Sequence, residues 1–264
     1  MATVYLNGVT IETYGVVVTA LSGWLDVPAY SYPMIELVGV PGQSPVGVPI
    51  KVAPREMTVS CYLNTATTYL ERRQKLAALA LACQGQIEFA TDEDPNRICY
   101  TVLLGGSGSG ILEQALANPY ALITLKLLAP DPHWYQKMPT VIPLPTGERE
   151  PLPLGSAPCR GRINVNHGGS GSGTVGAKLR HASGTILGQL TFTGVTLATD
   201  DSVEIDCQSF RAWRYLAATN VWSDITSTMS AGQDFFVFDP LDQPTLELDN
   251  GYDGWVAYRK AEMI

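Results

Sequence analysis

The sequence predicts a mainly β protein of two domains, with one helix in the first domain. Three observations support this fold class. Short segments with alternating apolar side chains recur along the 264 residues, and the chain contains 25 Gly and 18 Pro. Only one segment combines helical periodicity with a capping pattern. Because Gly and Pro separate short strands with turns, this composition favours sheets over a helical bundle.

The first half begins with short strands and a Pro-rich segment. Residues 3–22 alternate in short apolar runs, and Asn7-Gly8 is a turn signal typical of a two-residue hairpin. Residues 39–54 hold three Gly and four Pro. Because proline cannot donate to a ladder, this segment predicts a long irregular loop or an extended arm and excludes a central strand or a helix.

A strand and the helix follow. Residues 55–64 carry apolar side chains at every second position, which predicts a half-buried strand. Thr68 and Glu71 have the spacing of a capping box, and Gly85 lies where a helix would end. The apolar positions that approximate one helical stripe are Leu70, Leu76, Leu79, Ala80 and Cys83.

The rest of the chain is predicted as strands with a connector in the middle. Strands near 86–90, 97–104 and 120–128 complete a first domain of residues 1–137. Residues 138–158 contain six Pro, which predicts a semi-rigid connector between domains. Residues 159–264 carry about seven or eight short strands, including FFVFD at 235–239, and this spacing without a strong helix predicts a β-sandwich.

Composition excludes several classes of function. A formal net charge of −8 argues against a protein that mainly grips nucleic-acid phosphates. Charged residues make up 16%, against about 25% in ordinary soluble domains, which indicates either a surface covered in an assembly or a β-rich surface of uncharged polar residues. No apolar run is long enough for a bilayer, so no membrane association is expected. The five cysteines are scattered without a CxxC, which predicts reduced, mostly buried thiols.

No pattern of catalytic or metal-binding residues stands out, so no catalytic residue, metal or cofactor is predicted. The three histidines lack zinc-ligand spacing. Several late acids would suit a glycosidase pair or a calcium site only if the fold brought them together, and solvated turn acids are the plainer interpretation. These acids are Asp206, Asp239, Asp242, Asp249 and Asp253. Between Arg214 and Arg259 lie seven acids and no base, which predicts an electronegative rim.

Aromatic residues of the second half would suit stacking on sugar rings, although core positions in a sandwich are their commoner role. They are Trp213, Tyr215, Trp222, Tyr252 and Trp255.

Taken in order, these features resemble the distal tail protein (Dit) family of long-tailed siphophages. The similar segments of the first half are VGVPGQSPVG (38–47), REMTVSCYLNTATTYLERRQKLAALALACQG (55–85), IEFATDEDPNRICYTVLL (87–104) and ALITLKLLAPDPHWY (121–135). Those of the second half are RINVNHGG (162–169) and GTILGQLTFTGVTLATDDSVEIDC (184–207). The resemblance lies in pattern and order rather than in one motif. The long connector and the closing segment at 235–263 depart from the family.

The resemblance implies a structural protein of the phage tail tip that is not an enzyme. Residues 1–137 would form a tail-tube-like barrel or sandwich that closes into a homo-hexameric ring, and residues 159–264 a galectin-like sandwich. The partners would be the tail-tube protein and the tail-tip hub protein, and DNA would pass through the lumen without specific binding. The protein would be made in the host bacterial cytoplasm and reside in the virion.

Within that ring, the Pro-rich arm at 39–54 is expected to reach the neighbouring subunit. Proline limits pairing of the arm within its own sheet. The apolar residues expected to make the contact are Val40, Val46, Val48 and Ile50.

Two other interpretations stay open: a carbohydrate-binding module of a host-recognition apparatus, and a hydrolase of unrecognised type. Trp213, Trp222 and Trp255 are the expected contact residues for a glycan or for a partner protein, and protein attachment is favoured. Exposed indoles would indicate a glycan, and buried indoles would indicate a protein partner.

Overall fold

The chain forms two compact units that divide between Tyr135 and Gln136. A computed structural model describes residues 2–26, 52–64, 68–104, 122–167 and 173–262, and the backbone alone at 30–31, 34–36, 43–45 and 51. The described chain is mainly β with one α-helix, which confirms the predicted fold class. Among these residues no helix combines the length and apolar character needed to cross a membrane.

The first unit is built on an antiparallel sheet. Its strands, in chain order, are β1 (Val4–Leu6), β2 (Val9–Thr10), β3 (Val16–Ser22), β4 (Tyr30–Ser31), β5 (Met34–Glu36), β6 (Gln43–Pro45), β7 (Lys51–Val52), β8 (Arg55–Leu63), β9 (Gln86–Thr91), β10 (Asp94–Leu103), β11 (Leu122–Ala129) and β12 (Trp134–Gln136). Neighbours in the main sheet follow the order β2-β1-β9-β10-β11-β8-β3, with β12 beside β10. Asn7 and Gly8 turn the β1–β2 hairpin with φ of 53° and 78°, the left-handed backbone that their sequence signal predicts.

Part of the Pro-rich arm pairs outside this main sheet. Strand β4 pairs with β7, and β5 pairs with β6, each as a two-stranded antiparallel ladder. The segment 39–54 is therefore not irregular throughout, and its described strands, β6 and β7, lie outside the main sheet.

Strand β8 confirms the predicted half-buried alternation. Met57, Val59, Cys61 and Leu63 are all buried in the core of the first unit. Arg55, at the start of the strand, shares this alternation and is buried as well. The sequence pattern places Arg55 on the core face but gives no reason for a cation there.

The helix α1 (Tyr69–Ala82) begins at the predicted capping box. The Glu71 backbone N–H donates to Thr68 Oγ1 at 3.2 Å, and the Thr68 N–H donates to Glu71 Oε2 at 3.0 Å. The single apolar stripe expected from the sequence is wrong in part. Leu76, Leu79 and Cys83 are buried, whereas Leu70 is exposed, because it lies about 180° around the axis from Leu79. Ala80 is exposed as well.

The second unit contains two antiparallel sheets, as the predicted sandwich requires. The strands are β13 (Thr140–Leu144), β14 (Glu150–Pro151), β15 (Gly161–Asn166), β16 (Gly176–Arg180), β17 (Ile186–Thr191), β18 (Ser202–Asp206), β19 (Arg211–Leu216), β20 (Val221–Asp224), β21 (Thr245–Leu248), β22 (Asp253–Tyr258) and β23 (Ala261–Glu262). One sheet has the order β13-β22-β15-β18-β19-β20 and the other β14-β21-β16-β17, and β23 lies outside both. The sheets face each other closely, since a Cβ placed on Gly254 of β22 would lie 3.3 Å from Leu248 Cδ1 of β21.

The expected connector at 138–158 differs from the structure. Strand β13 pairs with β22, and β14 pairs with β21, so this segment supplies one strand to each sheet of the second unit. Both strands lie at sheet edges, the position where a strand tolerates proline because one side of its backbone needs no partner.

Two further strand predictions differ from the structure. FFVFD pairs only through a single bridge between Phe238 and Cys159, although Phe235, Phe236 and Phe238 are all buried. An apolar run of this length does not distinguish a strand from a buried loop. Conversely β20 was not predicted, because all four of its residues are exposed and it has no apolar periodicity.

Candidate contact face

The three tryptophans predicted as contact residues lie on one face of the second unit. Trp213 is on β19, Trp222 on β20 and Trp255 on β22, all in the six-stranded sheet. Directly opposite residues of paired antiparallel strands project to the same side of a sheet. The strand register therefore decides which side chains accompany the three indoles.

One row of directly paired residues crosses the sheet. Trp255 pairs with Asn164, Asn164 with Glu204, Glu204 with Trp213, and Trp213 with Asp224. Their neighbours Ile163, Val165, Val203 and Ile205 are buried. The row therefore projects away from the core, and three strand spacings separate Trp255 from Trp213 by about 14 Å.

The next row along the strands adds two aromatic rings in contact with each other. Tyr215 pairs directly with Trp222, and their ring centroids lie 5.2 Å apart with planes tilted by 41°. We call this outward side of the six-stranded sheet the aromatic face, defined by Trp213, Tyr215, Trp222 and Trp255 with Asn164 and Glu204 between them.

The rings of the aromatic face are accessible to different degrees. Trp222 is 52% exposed, and Trp213, Tyr215 and Trp255 are half-buried. Of the five aromatic residues singled out from the sequence, Tyr252 is the one that is fully buried. Of these five residues, only Tyr252 therefore occupies the core position that is the commoner role of aromatic residues in a sandwich.

Two arginines pair with three of the four carboxylates on the described part of the aromatic face. Arg162 lies 3.3 Å from Glu204 and 3.4 Å from Asp206, and Arg211 Nη1 lies 3.6 Å from Asp224 Oδ2. Asp253, in line with Trp255 on β22, has a buried Oδ1 without a hydrogen-bond partner. Four carboxylates against two arginines leave the described part of this face net negative.

Asn164 is the most unusual polar group of the aromatic face. The residue is 8% exposed, and its Oδ1 has no hydrogen-bond partner. A buried acceptor without a partner costs free energy, since water no longer satisfies it. Nothing in the alternation of β15 distinguishes Asn164 in the sequence.

The outer side of the four-stranded sheet has a different character. Arg149 and Arg180 donate to Glu247 Oε2 at 2.9 and 3.0 Å, and Lys178 donates to Asp249 at 2.5 Å. Partial burial alone would raise the pKa of Glu247, but hydrogen bonds from Arg180 and Arg149 lower it below its ordinary value. Ion pairs thus neutralise part of the expected electronegative rim.

The five acids considered for catalysis or calcium do not form one site. Asp206 and Asp253 are on the six-stranded sheet. Asp239 caps a 3₁₀ turn by accepting from Leu241, and Asp242 ends that turn. Asp249 pairs with Lys178. Among the described residues no group of three His, Cys, Asp or Glu side chains is placed to hold a metal ion.

A polar cluster of the first unit was not found from the sequence. The Asp131 carboxylate lies 2.5 Å from His133 Nδ1 and accepts from the Tyr135 hydroxyl. Burial raises the pKa of Asp131, but these hydrogen bonds outweigh it and hold the pKa below its ordinary value. The His133 backbone N–H also donates to Asp131 Oδ1 at 3.2 Å, so the carboxylate stabilises the turn that leads into β12.

Arg55 is a second feature that the sequence does not explain. Its Nη1 donates to the Trp24 carbonyl at 2.5 Å, its guanidinium lies 5.9 Å from the Trp134 ring centroid, and Nε and Nη2 have no partner. Burial lowers the pKa of Arg55.

The expected intersubunit contacts Val40, Val46, Val48 and Ile50 lie outside the described residues.

The five cysteines are all free and buried, as the sequence predicted.

Comparisons with known proteins support the same fold over the whole chain. No protein-family model and no curated protein matches the sequence. Among solved structures, the Dit protein of phage SPP1, described as a paradigm of the hub adsorption apparatus in phages that infect Gram-positive bacteria, matches with a TM-score of 0.72 at 16% identity, over 99% of both chains. The phage p2 baseplate in its activated conformation matches with TM-scores of 0.58 with Sr and 0.56 with Ca, at 8% and 7% identity, over 100% and 98% of both chains. The chain therefore has a Dit-like fold.

Proposed function

We propose that this protein is a structural, non-enzymatic hub component of a siphophage tail tip, residing in the virion. The observation that carries the proposal is the likeness to the SPP1 Dit hub protein, which extends over 99% of both chains and so includes both units in the same order. In this role the chain forms a homo-hexameric ring through residues 1–137 and joins the tail tube to the distal tip proteins.

An apolar stripe on α1 supports assembly through the first unit. Leu70, Ala77 and Leu81 lie within about 40° of one another around the helix axis. Leu70 is 61% exposed and Leu81 67% exposed, on the side of the helix opposite the buried Leu79. A helix with apolar residues on both sides buries the second side in a larger assembly.

The charge of the chain suits a DNA channel. With a formal net charge of −8, the protein offers no excess of cations to hold phosphates. Like charge opposes adhesion, so a ring of this chain would let DNA pass through its lumen without specific binding.

The test is the molecular mass of the full chain in solution. Light scattering should give six times the 28.5 kDa of one chain, and negative-stain images should contain rings. Leu81→Glu places a charge in the apolar stripe of α1 and should yield monomers. A wild-type chain that stays monomeric at every concentration would refute the ring.

A matched control separates assembly from folding. Leu241→Glu introduces the same charge at an exposed leucine of the second unit and should leave the hexamer intact. If Leu81→Glu remains hexameric, the stripe of α1 is not the subunit contact. Release of sugar from host-wall polysaccharide by the wild-type protein would contradict the non-enzymatic role.

A further inference from the structure

On the aromatic face, hydrogen-bonding side chains lie between aromatic rings. The row Trp255, Asn164, Glu204 and Trp213 places an amide and a carboxylate between two indoles. Trp222, the most exposed of these rings, lies one strand beyond Trp213. From this arrangement we propose that the aromatic face binds a neutral glycan, a function separate from assembly of the hub.

The rings fit the apolar side of a sugar. The C–H groups of a pyranose stack on an aromatic plane, and an indole offers the largest plane at little cost in conformational entropy. Since Trp255 and Trp213 are about 14 Å apart across the sheet, the two rings contact different sugar units of one oligosaccharide.

The polar groups fit sugar hydroxyls because they are hydrogen-bond acceptors. Asn164 Oδ1 and Asp253 Oδ1 have no partner within the protein, and both residues lie beside Trp255, one directly opposite it and one two positions along the same strand. Both oxygens are covered in the free protein, so a ligand reaches them by displacing the side chains over them, and a hydroxyl that then donates to such an acceptor removes the cost of leaving it unpaired. Two unpaired acceptors beside one indole form a hydrogen-bonding site for which sugar hydroxyls supply the donors.

The charges favour a neutral ligand over an anionic one. The cations on the described part of the aromatic face are Arg162 and Arg211, and each is already in an ion pair with a carboxylate. Phosphate or uronate groups would find no unpaired cation there and would meet Asp253, so an acidic polysaccharide is repelled.

A protein partner fits the aromatic face less well. Cores of protein interfaces are contiguous apolar patches depleted of charged residues. Here Asn164 and Glu204 interrupt the apolar area between Trp255 and Trp213. The outer side of the four-stranded sheet, which carries ion pairs and no aromatic row, offers neither kind of site.

The experiment titrates the full chain with neutral oligosaccharides of glucose, galactose and N-acetylglucosamine, and follows tryptophan fluorescence. At least one neutral oligosaccharide should bind and protect the fluorescence from iodide quenching. Trp222→Ala should weaken that binding by about tenfold, the loss expected for one ring contact. Polygalacturonate, an acidic polysaccharide, should not bind.

Phe210→Ala is the matched control. Phe210 is an aromatic residue of nearly equal exposure, 53%, on the β18–β19 turn rather than on the aromatic face. Its replacement should leave the affinity unchanged. Because Trp222 is exposed, its loss should not unfold the chain, and an unchanged circular dichroism spectrum verifies this.

Four results would overturn the proposal. These are no binding of any neutral oligosaccharide, equal weakening by Phe210→Ala, full affinity in Trp222→Ala, or binding of polygalacturonate alone. Protection of the tryptophans by a tail protein but by no glycan would assign the face to a protein partner. None of these results bears on the hexamer, so this inference and the proposed hub function fail separately.

Discussion

Asp201 is a buried carboxylate that connects the loop before β18 to the end of β19. It is 5% exposed and accepts three hydrogen bonds, from Ala198 N at 3.1 Å, Ala217 N at 3.0 Å and Arg214 Nη2 at 3.2 Å. Asp201→Asn preserves the size of the side chain but removes its charge and turns an amide group toward one of these donors. We expect this change to lower the free energy of unfolding of the second unit by about 2 kcal/mol, the loss of hydrogen bonds to a charged group.

The pH dependence gives a second, independent readout. Burial alone would raise the pKa of Asp201, but hydrogen bonds from Ala217, Ala198 and Arg214 outweigh it and lower the pKa below its ordinary value. The stabilisation is therefore complete above the unfolded pKa of about 3.9 and is lost as the pH falls through the lower folded pKa. The difference in free energy of unfolding between the wild-type protein and Asp201→Asn should be constant from about pH 7 to 5 and should become smaller below about pH 4.

Urea and thermal unfolding, followed by tryptophan fluorescence, measure the effect, and the melting temperature of the second unit should fall by about 8 °C at pH 7. Asp200→Asn is the control, because it makes the same change at the adjacent, exposed position, whose φ of 67° asparagine tolerates. The reasoning would be refuted if Asp200→Asn lowered the stability as much as Asp201→Asn does. It would also be refuted if the stability difference between the wild-type protein and Asp201→Asn stayed the same in acid.

Three further predictions concern the cap, the sheet and the thiols. Thr68→Ala should cost about 1 kcal/mol of stability of the first unit by urea unfolding, while Thr68→Ser should cost much less, because serine restores the cap. Gly254→Ala should destabilise the second unit more than Gly194→Ala, because its Cβ would overlap the Asn164 carbonyl, whereas at Gly194 nothing lies within 4 Å and the cost is limited to the strain of an alanine at φ 74°; equal melting temperatures would contradict this. Burial raises the pKa of all five cysteine thiols to about 11 or 12, so a thiol reagent at pH 8 should label none in the folded protein and all five after unfolding.

Features set by neighbouring residues could be predicted from the sequence. The cap at Thr68 depends on Glu71 three positions later, and the burial of Met57 and Val59 depends on a period of two. Each pattern is complete within one element, because helix and strand geometry fix which side chains share a face. The mainly β class, the single helix and the sandwich follow from such local patterns repeated along the chain.

The aromatic face required the tertiary structure. Trp255, Asn164 and Trp213 become neighbours only because β22, β15, β18 and β19 pair in one register, and their sequence separation gives no signal of that pairing. For a related reason, the sequence did not predict that α1 is apolar on two sides or that β13 is an edge strand. Whether Leu70 is exposed, or a proline such as Pro143 is tolerated, depends on what packs or pairs beside it. The sequence by itself determined the elements whose patterns are local, such as α1 and β8; long-range strand pairing decided the edge strands and which side chains meet, because register joins residues that are distant along the chain.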